Sequence, residues 1–384
     1  MRVLATYGKH PKTLSFVRSS GRSGRDVLVV DDTRHPICSF SKYCSKFVSL
    51  PSPSWWPKEF LSNLVEILRA EDIDLVVPMD DPECDILSDL ENKSMLSAQV
   101  ALPSSDAYHA ARDKNETRLL AGRLGIPAPN SFLIANPESI GRIGKEVGFP
   151  AIVKPVKSSG SRGFRLIRDE ASLVSVSSLL SRYGCLLAQE FIPSKESIGV
   201  SYLFNRGEVR VFFSHRRLLE FPQDGGPSLV RESTANAVAE EFGRRLLESL
   251  GWHGIAMVEF RIDSRTGNPV LMEINPRFWG SLPLAIACGV DFPKLLCDMY
   301  EFGDVAPNRA YQDGIGCVDL LPFGVSSVLG QNGVRRLARV LRYGFKFKHF
   351  DVESFDDPLP AFGALLHMLR STLDSSNIEM FFRR

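Results

Sequence analysis

The most informative stretch of this 384-residue sequence is EINPRFWGS, residues 273–281. Glu273 and Asn275 alternate on a predicted strand, so both side chains leave it on the same face. Glu259 lies on the preceding predicted strand and can face them. Three oxygen donors arranged in this way suit Mg²⁺, although two carboxylates on adjacent strands are also compatible with solvated neighbours and no metal. Arg277, two positions further on, would place a guanidinium beside the cluster to hold a carboxylate or a phosphoryl group.

A second informative segment lies upstream, where Lys154 is enclosed by the apolar run AIVKPV, residues 151–156. A buried ammonium group needs an anionic partner. The loop SSGSRG, residues 158–163, follows at once, and its glycines allow backbone N–H groups to approach a phosphate closely. Lysine and loop together predict a phosphate clamp. The alternative is an ordinary hairpin loop beside a lysine whose ammonium group reaches solvent.

The first hundred residues alternate short apolar runs with helical stretches, which indicates βαβ units and a small parallel sheet. No G-x-G-x-x-G motif follows the first strand, so a Rossmann cofactor site is not expected. An acidic cluster follows the third predicted strand, where open α/β sheets usually bind ligands. It is interpreted as the acidic first turn of a helix or as a site for a substrate amine. Its members are Asp80, Asp81, Glu83 and Asp85.

From residue 151 onward the sequence is rich in predicted strands that are joined by tight turns and covered by one helix. The fold class predicted for the whole chain is therefore an α/β unit followed by α+β structure. The predicted strands of this second part are 151–156, 164–167, 186–192, 199–204, 254–262 and 269–275.

Charge and cysteine content exclude several other classes of function. Lys and Arg number 46 against 45 Asp and Glu, so the net charge of +1 creates no global field for nucleic acid. The seven cysteines are scattered without a C-x-x-C pair, so reduced thiols are expected. No apolar run reaches the ~20 residues of a membrane span, and the N-terminus lacks a signal-peptide pattern. A cytoplasmic protein without a transmembrane segment is predicted.

The order of these motifs along the chain resembles that of the ATP-grasp superfamily. The sequence of residues 273–281 most resembles the carbamoyl-phosphate-synthase-like carboxylate-amine ligase branch of that superfamily. The resemblance extends from about Asp113 to about Gly289. It implies a pre-ATP-grasp α/β domain over 1–111 and an ATP-grasp domain over 112–310, whose two α+β lobes clasp ATP. The smaller lobe would be inserted at about 126–195, and a C-terminal extension would occupy 311–384.

The resemblance also implies a role for individual residues in binding ATP. Two lysines would contact the α- and β-phosphates under the glycine-containing loop, and a hinge after the lobe's last strand would contact adenine. An acidic residue would bind the ribose, and two apolar side chains would enclose the adenine ring. In chain order these residues are Lys114, Ile152, Lys154, Ser158, Ser159, Gly160, Ser161, Gly163, Glu190, Phe191, Ile192, Glu196 and Met272.

The same resemblance assigns Glu259, Glu273 and Asn275 as ligands of Mg²⁺, with Mn²⁺ as a substitute. It implies that Arg277 stabilises the acyl-phosphate and that Arg217 lies near the acceptor carboxylate, although Arg217 is also compatible with a solvated strand edge. Substrate specificity is expected from Trp279, Ser281, the acidic cluster and a loop over 225–233. His215 and His253 have no Ser or Cys partner in a recognisable triad and are expected to be structural.

The predicted function is an ATP-dependent ligase that activates a carboxylate as an acyl-phosphate and joins it to an amine, releasing ADP and phosphate. A carboxylate-thiol ligase, a bicarbonate-using carboxylase and a non-catalytic ATP-binding regulatory module are the alternatives. The expected partners are a small carboxylic acid, an amine and, by resemblance, a second copy of the chain in a homodimer.

A basic amphipathic helix is predicted after Gln331. Arg335, Arg339 and Arg342 would share one face of this helix. Another face, formed by Val334, Leu337 and Leu341, would cover a core. The basic face is interpreted as a solvated surface or as a dock for an anionic carrier protein, glycan or membrane surface.

Overall fold

The computed structural model describes residues 1–158, 160, 162–221, 226, 228–308, 310–327 and 333–373. The strands in these ranges form three sheets. All seven cysteines are free thiols, as the sequence predicts. None of the helices in the described ranges is long and apolar enough to cross a membrane.

The first sheet is parallel, and its three central strands are almost completely buried. Residues that alternate along these strands belong to two hydrophobic cores, one packed with α1 and the other with α2, as expected when helices cover both faces of a parallel sheet. The strands are β1 (Arg2–Ala5), β2 (Asp26–Asp31), β3 (Lys46–Ser49), β4 (Leu75–Val77) and β5 (Gln99–Val100). The helices are α1 (Pro11–Arg22), α2 (Pro57–Ala70), α3 (Asp81–Leu87), α4 (Leu90–Ser94) and α5 (Ser105–Arg112). The strand order is β3-β2-β1-β4-β5, so the carboxyl ends of β1, β2 and β4 lie side by side.

The second sheet is antiparallel and follows helix α6 (Lys114–Arg123). Its order is β6-β9-β7-β8, with β6 (Ser131–Ile134), β7 (Ala151–Pro155), β8 (Arg165–Ile167) and β9 (Leu186–Glu190). Two helices belong to this lobe, α7 (Ile143–Glu146) and α8 (Val174–Tyr183). Alternate residues of β7 and β9 form the lobe's own small core against α8, which leaves Ile152 and Lys154 on the opposite face of β7.

The third sheet has six strands in the order β14-β13-β10-β11-β12-β15. The strands are β10 (Ser197–Asn205), β11 (Glu208–Glu220), β12 (Ser228–Ser233), β13 (Gly254–Ile262), β14 (Pro269–Asn275) and β15 (Gly316–Val318). The accompanying helices are α9 (Ala237–Ser249), α10 (Leu282–Ala287) and α11 (Phe292–Phe302). The chain continues through α12 (Phe323–Ser326), α13 (Gly333–Phe347) and α14 (Leu359–Leu373). The described part of the chain also contains three short 3₁₀ helices, at Ile37–Phe40, Pro137–Arg142 and Glu170–Leu173.

The predicted fold class is confirmed, because a parallel α/β unit precedes antiparallel α+β structure. The predicted strands 254–262 and 269–275 agree with β13 and β14. The expectation of a loop over 225–233 is wrong for Ser228–Ser233, because these six residues form β12 between β11 and β15. Polar residues hide the strand pattern of this segment, and two of them, Arg231 and Glu232, are buried in ion pairs.

Candidate active site

Two carboxylates and an amide meet on the hairpin formed by β13 and β14. Glu259 and Glu273 are directly opposite each other, as the sequence predicts, and the register shifts immediately after Glu259. The side-chain Nδ2 group of Asn275 donates a hydrogen bond of 3.0 Å to Oε1 of Glu259. The hairpin therefore brings together the three predicted metal ligands.

The two carboxylates experience different electrostatic environments. Burial raises the pKa of Glu259, and the negative charge of Glu273 raises it further against the attraction of Arg217. Burial also opposes ionisation of Glu273, but the ammonium groups of Lys114 and Lys154 outweigh it and lower the pKa of Glu273. A cation shared by both carboxylates would relieve their mutual repulsion.

Lys114 and Lys154 come from different elements, and both interact electrostatically with the carboxylate of Glu273. Lys114 begins α6, and its Nζ lies 3.2 Å from Oε2 of Glu273 and 2.6 Å from the carbonyl oxygen of Ser158. Burial and the charge of Lys114 lower the pKa of Lys154 to about 8, against the attraction of Glu273. The buried Lys114 and the half-buried Lys154 supply two positive charges near Glu273, a combination that suits an anion.

Ser158, at the start of the loop after β7, is held close to Lys114. The carbonyl oxygen of Ser158 accepts hydrogen bonds from Lys114 and, at 3.3 Å, from Nη1 of Arg112. Gly163 has φ +77°, and a Cβ atom there would lie 2.7 Å from the ring of Pro155, so a larger residue would be strained. Gly160 also has positive φ, at 58°. Ser159 and Ser161, the other predicted phosphate contacts, lie outside the described residues.

Arg277 connects the third sheet to the acidic cluster of the N-terminal unit. Its Nε donates to Oδ1 of Asp81 at 2.7 Å and lies 3.7 Å from Oδ1 of Asp80. Asp81 begins α3, so the cluster is the first turn of a helix, as one interpretation held, and it is also a counter-ion for Arg277. Because the partners are 196 positions apart, no local pattern in the sequence could indicate this ion pair.

Arg217 lies on β11 and contacts the metal-ligand cluster directly. Its guanidinium is hydrogen-bonded to Oε2 of Glu259 and lies 3.4 Å from Oε1 of Glu220. Despite burial, these carboxylates raise the pKa of Arg217, so it stays charged. Its environment is not the solvated strand edge considered from the sequence. A role at the acceptor carboxylate stays a prediction.

The predicted adenine and ribose contacts lie at the junction of the second and third sheets. Ile152 on β7 and Met272 on β14 are both half-buried. The backbone N–H groups of Glu190 and Phe191 are already donated to the carbonyl oxygens of Asn130 and Pro150, at 2.9 and 3.3 Å. We therefore expect the amide of Ile192 to be the hinge group that contacts adenine.

Both acidic residues of this region are paired with arginines. Glu190 accepts from Arg265 at 2.9 Å. Glu196, the predicted ribose ligand, lies 3.5 Å from Nη1 of Arg216, which also bonds Glu232 at 2.7 Å. The Glu196 side chain is 38% exposed, so its carboxylate is accessible to a hydroxyl ligand.

His215 is buried between strands and is not arranged for nucleophilic catalysis. Its Nε2 and Oγ of Ser281 are 3.0 Å apart, and burial lowers the pKa of His215 to about 3, so the ring is neutral. A Cβ atom on Gly199 would lie 2.4 Å from the imidazole. Ser281, which the sequence suggested for substrate specificity, instead packs against this ring.

The donor set is adequate for a hard divalent cation. Among the described residues no group of three or more His, Cys, Asp and Glu side chains could hold a metal ion, but the predicted set takes its third donor from the amide of Asn275. Mg²⁺ retains waters and phosphate oxygens, so two carboxylates and an amide are sufficient protein ligands. Mn²⁺ accepts the same oxygen donors. The residues present therefore fit the ion that the sequence predicts.

A cleft of about 470 Å³ opens at the carboxyl edge of the parallel sheet. Arg162 of the loop after β7 contributes to its wall, so the cleft lies beside the phosphate-clamp loop. Glu83 lines the cleft, is 3% exposed, and its Oε2 has no hydrogen-bond partner among the residues the structure describes. Burial and the charge of Asp80 raise the pKa of Glu83 to about 8. Other lining residues are Tyr7, Lys9, Asp31, Asp32, Trp55 and Asp80.

Comparisons with known proteins agree with this architecture. Residues 111–281 match the family model described as an ATP-grasp domain. The carbamoyl phosphate synthase large chain of Thermus thermophilus is 30% identical over 206 residues, which are 49% of this chain and 19% of that protein. The chain thus spans about a fifth of the length of this curated relative.

Solved structures extend the similarity beyond the matched domain. Biotin carboxylase from Campylobacter jejuni has a TM-score of 0.67 at 18% identity, covering 82% of this chain and 74% of that one. An L-amino acid ligase from Bacillus licheniformis has a TM-score of 0.63 at 16% identity, covering 78% and 74%. The family model and the structural neighbours together define the class: residues 111–281 match an ATP-grasp domain, and the chain has the ATP-grasp fold.

Proposed function

We propose that the chain is an ATP-dependent ligase that activates a carboxylate as an acyl-phosphate and joins it to an amine. The observation that carries the proposal is the ion pair of Lys114 with Glu273 on the hairpin that also holds Glu259 and Asn275, with Lys154 on β7 interacting electrostatically with the same carboxylate. The two lysines carry two positive charges, and Glu273 neutralises only one of them. Phosphate oxygens would neutralise the other. Desolvated cations fixed in position are the groups that stabilise phosphoryl transfer.

In this proposal ATP lies between the second and third sheets. Lys114 and Lys154 contact the α- and β-phosphates beneath the loop at 158–163, while Ile152 and Met272 enclose adenine. The Glu190–Ile192 hinge borders the base, and Glu196 receives the ribose hydroxyls. Mg²⁺ held by Glu259, Glu273 and Asn275 would neutralise charge that develops on the phosphoryl oxygens.

The chemistry needs two displacements. A carboxylate oxygen of the acid attacks the γ-phosphorus, the bond to the β–γ bridging oxygen breaks, and ADP leaves. The amine nitrogen then attacks the acyl carbon, the bond to the phosphate oxygen breaks, and phosphate leaves as the nitrogen loses a proton. We propose that Arg277, oriented by Asp81, stabilises the acyl-phosphate, and that Arg217 holds the acid's carboxylate.

The proposal is tested by measuring the products of ATP cleavage with panels of carboxylic acids and amines. We expect ADP and phosphate in equal amounts, and only when the correct acid is present. A product whose mass equals acid plus amine minus water identifies amide formation. Stoichiometric AMP and pyrophosphate from any pair would contradict an acyl-phosphate intermediate.

Two alternatives use the same ATP site and are separated by the same measurement. A thiol acceptor would give a thioester mass, and bicarbonate as the acid would give a carboxylated product. Biotin carboxylase, one of the structural neighbours, keeps the second alternative open.

A third alternative is a regulatory module, which would bind ATP without releasing ADP with any pair of acid and amine. The carboxylates and arginines near the two lysines favour catalysis instead, since ATP binding alone does not require them.

We further propose that the acceptor amine enters the cleft at the edge of the parallel sheet. The cleft adjoins the phosphate-clamp loop through Arg162. Asp80 links it to the proposed transfer site, because Asp80 lies 3.7 Å from Nε of Arg277. Acidic residues outnumber basic ones in its lining, which favours a cationic ligand.

Glu83 provides a pH test of this acceptor site. The charged groups around it are Asp80, Asp31 and Lys12, and the pKa of Glu83 is raised to about 8, so its carboxyl is neutral in the empty cleft at neutral pH. An ammonium ligand favours the ionised form, which is more populated as pH rises. We therefore expect amine affinity to strengthen from about pH 6 to about pH 8, by roughly tenfold or more.

The measurement is the KM for the amine as a function of pH in Glu83→Gln and in a control, Glu66→Gln, at an exposed position on α2. Glu83→Gln should raise the KM about tenfold or more near pH 8 and remove its pH dependence. The control should behave as wild type. An unchanged KM profile in Glu83→Gln would place the amine elsewhere.

We also propose that the chain is divided into three parts. These are a pre-ATP-grasp α/β domain over 1–111, an ATP-grasp domain over 112–310 with a smaller lobe inserted at about 126–195, and a C-terminal extension over 311–384. The acid and amine as small-molecule partners, a homodimer and a cytoplasmic location accompany the ligase proposal as predictions.

A further inference from the structure

Helix α13 presents two exposed stripes of different chemistry. At about 100° per residue, positions spaced three or four apart share one side of a helix. The exposed apolar stripe consists of Val334, Ala338, Leu341 and Phe345. The exposed basic stripe consists of Arg335, Arg339, Arg342 and Lys346. Each basic residue follows an apolar one directly, so the stripes run side by side along the helix.

The apolar stripe is not the face that attaches the helix to the protein. Val340 and Phe347 are buried and pack in one hydrophobic core with Val230 of β12 and Val318 of β15. The sequence-based expectation that Val334 and Leu341 cover this core is wrong. A helix whose period places apolar residues on two sides needs only one of them for docking to its own sheet.

Exposure along the apolar stripe is high for large side chains. Val334 is 76% exposed and Phe345 is 86% exposed. Removing such side chains from water is favourable. The stripe is therefore an apolar surface without a partner among the residues the structure describes.

The basic stripe is also without counter-ions along most of its length. Arg335, Arg339 and Arg342 form no ion pair with any residue in the described ranges, and only Lys346 approaches a carboxylate, that of Glu232 at 3.9 Å. Arg336 lies on the other side and stacks over the ring of Phe221 at 4.1 Å. Like charges along three turns repel one another unless an anionic surface faces them.

We propose that the outer side of α13 lies in the headgroup layer of an anionic membrane. An amphipathic helix of this kind inserts its apolar stripe at the acyl boundary while its cations contact lipid phosphates. Nucleic acid would match the arginines but leave Phe345 and Val334 in water. A bilayer surface can contact both stripes at once.

The test is co-sedimentation of the full chain with phosphatidylcholine vesicles that contain or lack phosphatidylglycerol. We expect binding to the mixed vesicles that weakens at high salt, and little binding to phosphatidylcholine alone. The triple variant Arg335→Glu, Arg339→Glu, Arg342→Glu should lower the partition coefficient about tenfold or more. The matched control is Lys58→Glu, Arg69→Glu, Arg123→Glu, which alters net charge equally at exposed positions elsewhere and should bind as wild type.

A second pair of variants tests the apolar stripe. Phe345→Asn should weaken vesicle binding several-fold, whereas Phe302→Asn should not, although Phe302 on α11 is 74% exposed. Circular dichroism of all variants verifies that they fold. Since no nucleotide chemistry is involved, the outcome is independent of the proposed ligase activity.

Three results would overturn the membrane proposal. Equal sedimentation of the triple variant and its control would show that the three arginines do not contribute to vesicle binding. Binding to polyglutamate but not to vesicles, lost in the triple variant, would indicate an acidic protein partner. Vesicle binding that emerges only after deletion of residues 374–384 would identify that segment as the occupant of the stripe.

Discussion

Glu273→Gln is expected to lower ATP-dependent product formation about a thousandfold or more while leaving the protein folded. Glu273 is the carboxylate shared by the proposed metal site and the two lysines, with Oε2 3.2 Å from Nζ of Lys114. Its lowered pKa keeps it ionised, and glutamine of similar size removes that charge. The fold should survive because Lys114 keeps its 2.6 Å bond to the carbonyl of Ser158.

The role of Glu273 in metal binding can be measured without knowing the acid or the amine. Calorimetry of ADP binding with and without Mg²⁺ should show that metal strengthens binding in the wild type but not in Glu273→Gln. Metal-free ADP should bind the variant at least as well, because an anionic neighbour of the phosphates has been removed. Glu208→Gln, at an exposed ion pair on β11, is the control. If Mg²⁺ strengthened ADP binding in Glu273→Gln as it does in the wild type, Glu273 would not be a metal ligand.

The sequence predicted the parts of the site that depend on local alternation. In β13 and β14 every second residue shares a face, so the placement of Glu259 opposite Glu273 followed from strand period and a short turn. Lys154 was identified because a charged residue interrupts an apolar run. Such patterns are contained in a few consecutive positions.

Contacts between distant segments had no such pattern. The Arg277–Asp81 pair and the Arg217–Glu259 pair join elements that meet only after all sheets are assembled. Strand β12 is not predicted for a related reason, because ion pairs let Arg231 and Glu232 occupy buried positions that a hydrophobic pattern does not reveal. Helix α13 has three chemically distinct sides, and periodicity alone could not tell which apolar side faces the sheet.

The largest effect on stability is expected from Arg231→Met on β12. Arg231 and Asp351 form a hydrogen-bonded ion pair in which both side chains are 1% exposed, and Arg231 also donates to the carbonyl of Ser228 at 2.9 Å. Removing the guanidinium leaves Asp351 buried without a cation, beside Asp319, whose pKa burial already raises. Loss of one partner of a buried pair costs about 3–5 kcal/mol of unfolding free energy.

The variant Arg231→Met/Asp351→Leu separates an uncompensated charge from poor packing. If the cost arises from the orphaned carboxylate, the double substitution should recover most of the loss, since apolar replacement of a buried pair is often neutral.

The loss of unfolding free energy in Arg231→Met should also depend on pH. Burial raises the pKa of Asp351 even in the wild type, and loss of Arg231 raises it further, so stability present at low pH is lost as pH rises through that pKa. Urea unfolding near pH 5 and near pH 8 should therefore show the larger deficit at the higher pH, and equal deficits would mean that packing, not charge, is what Arg231 supplies.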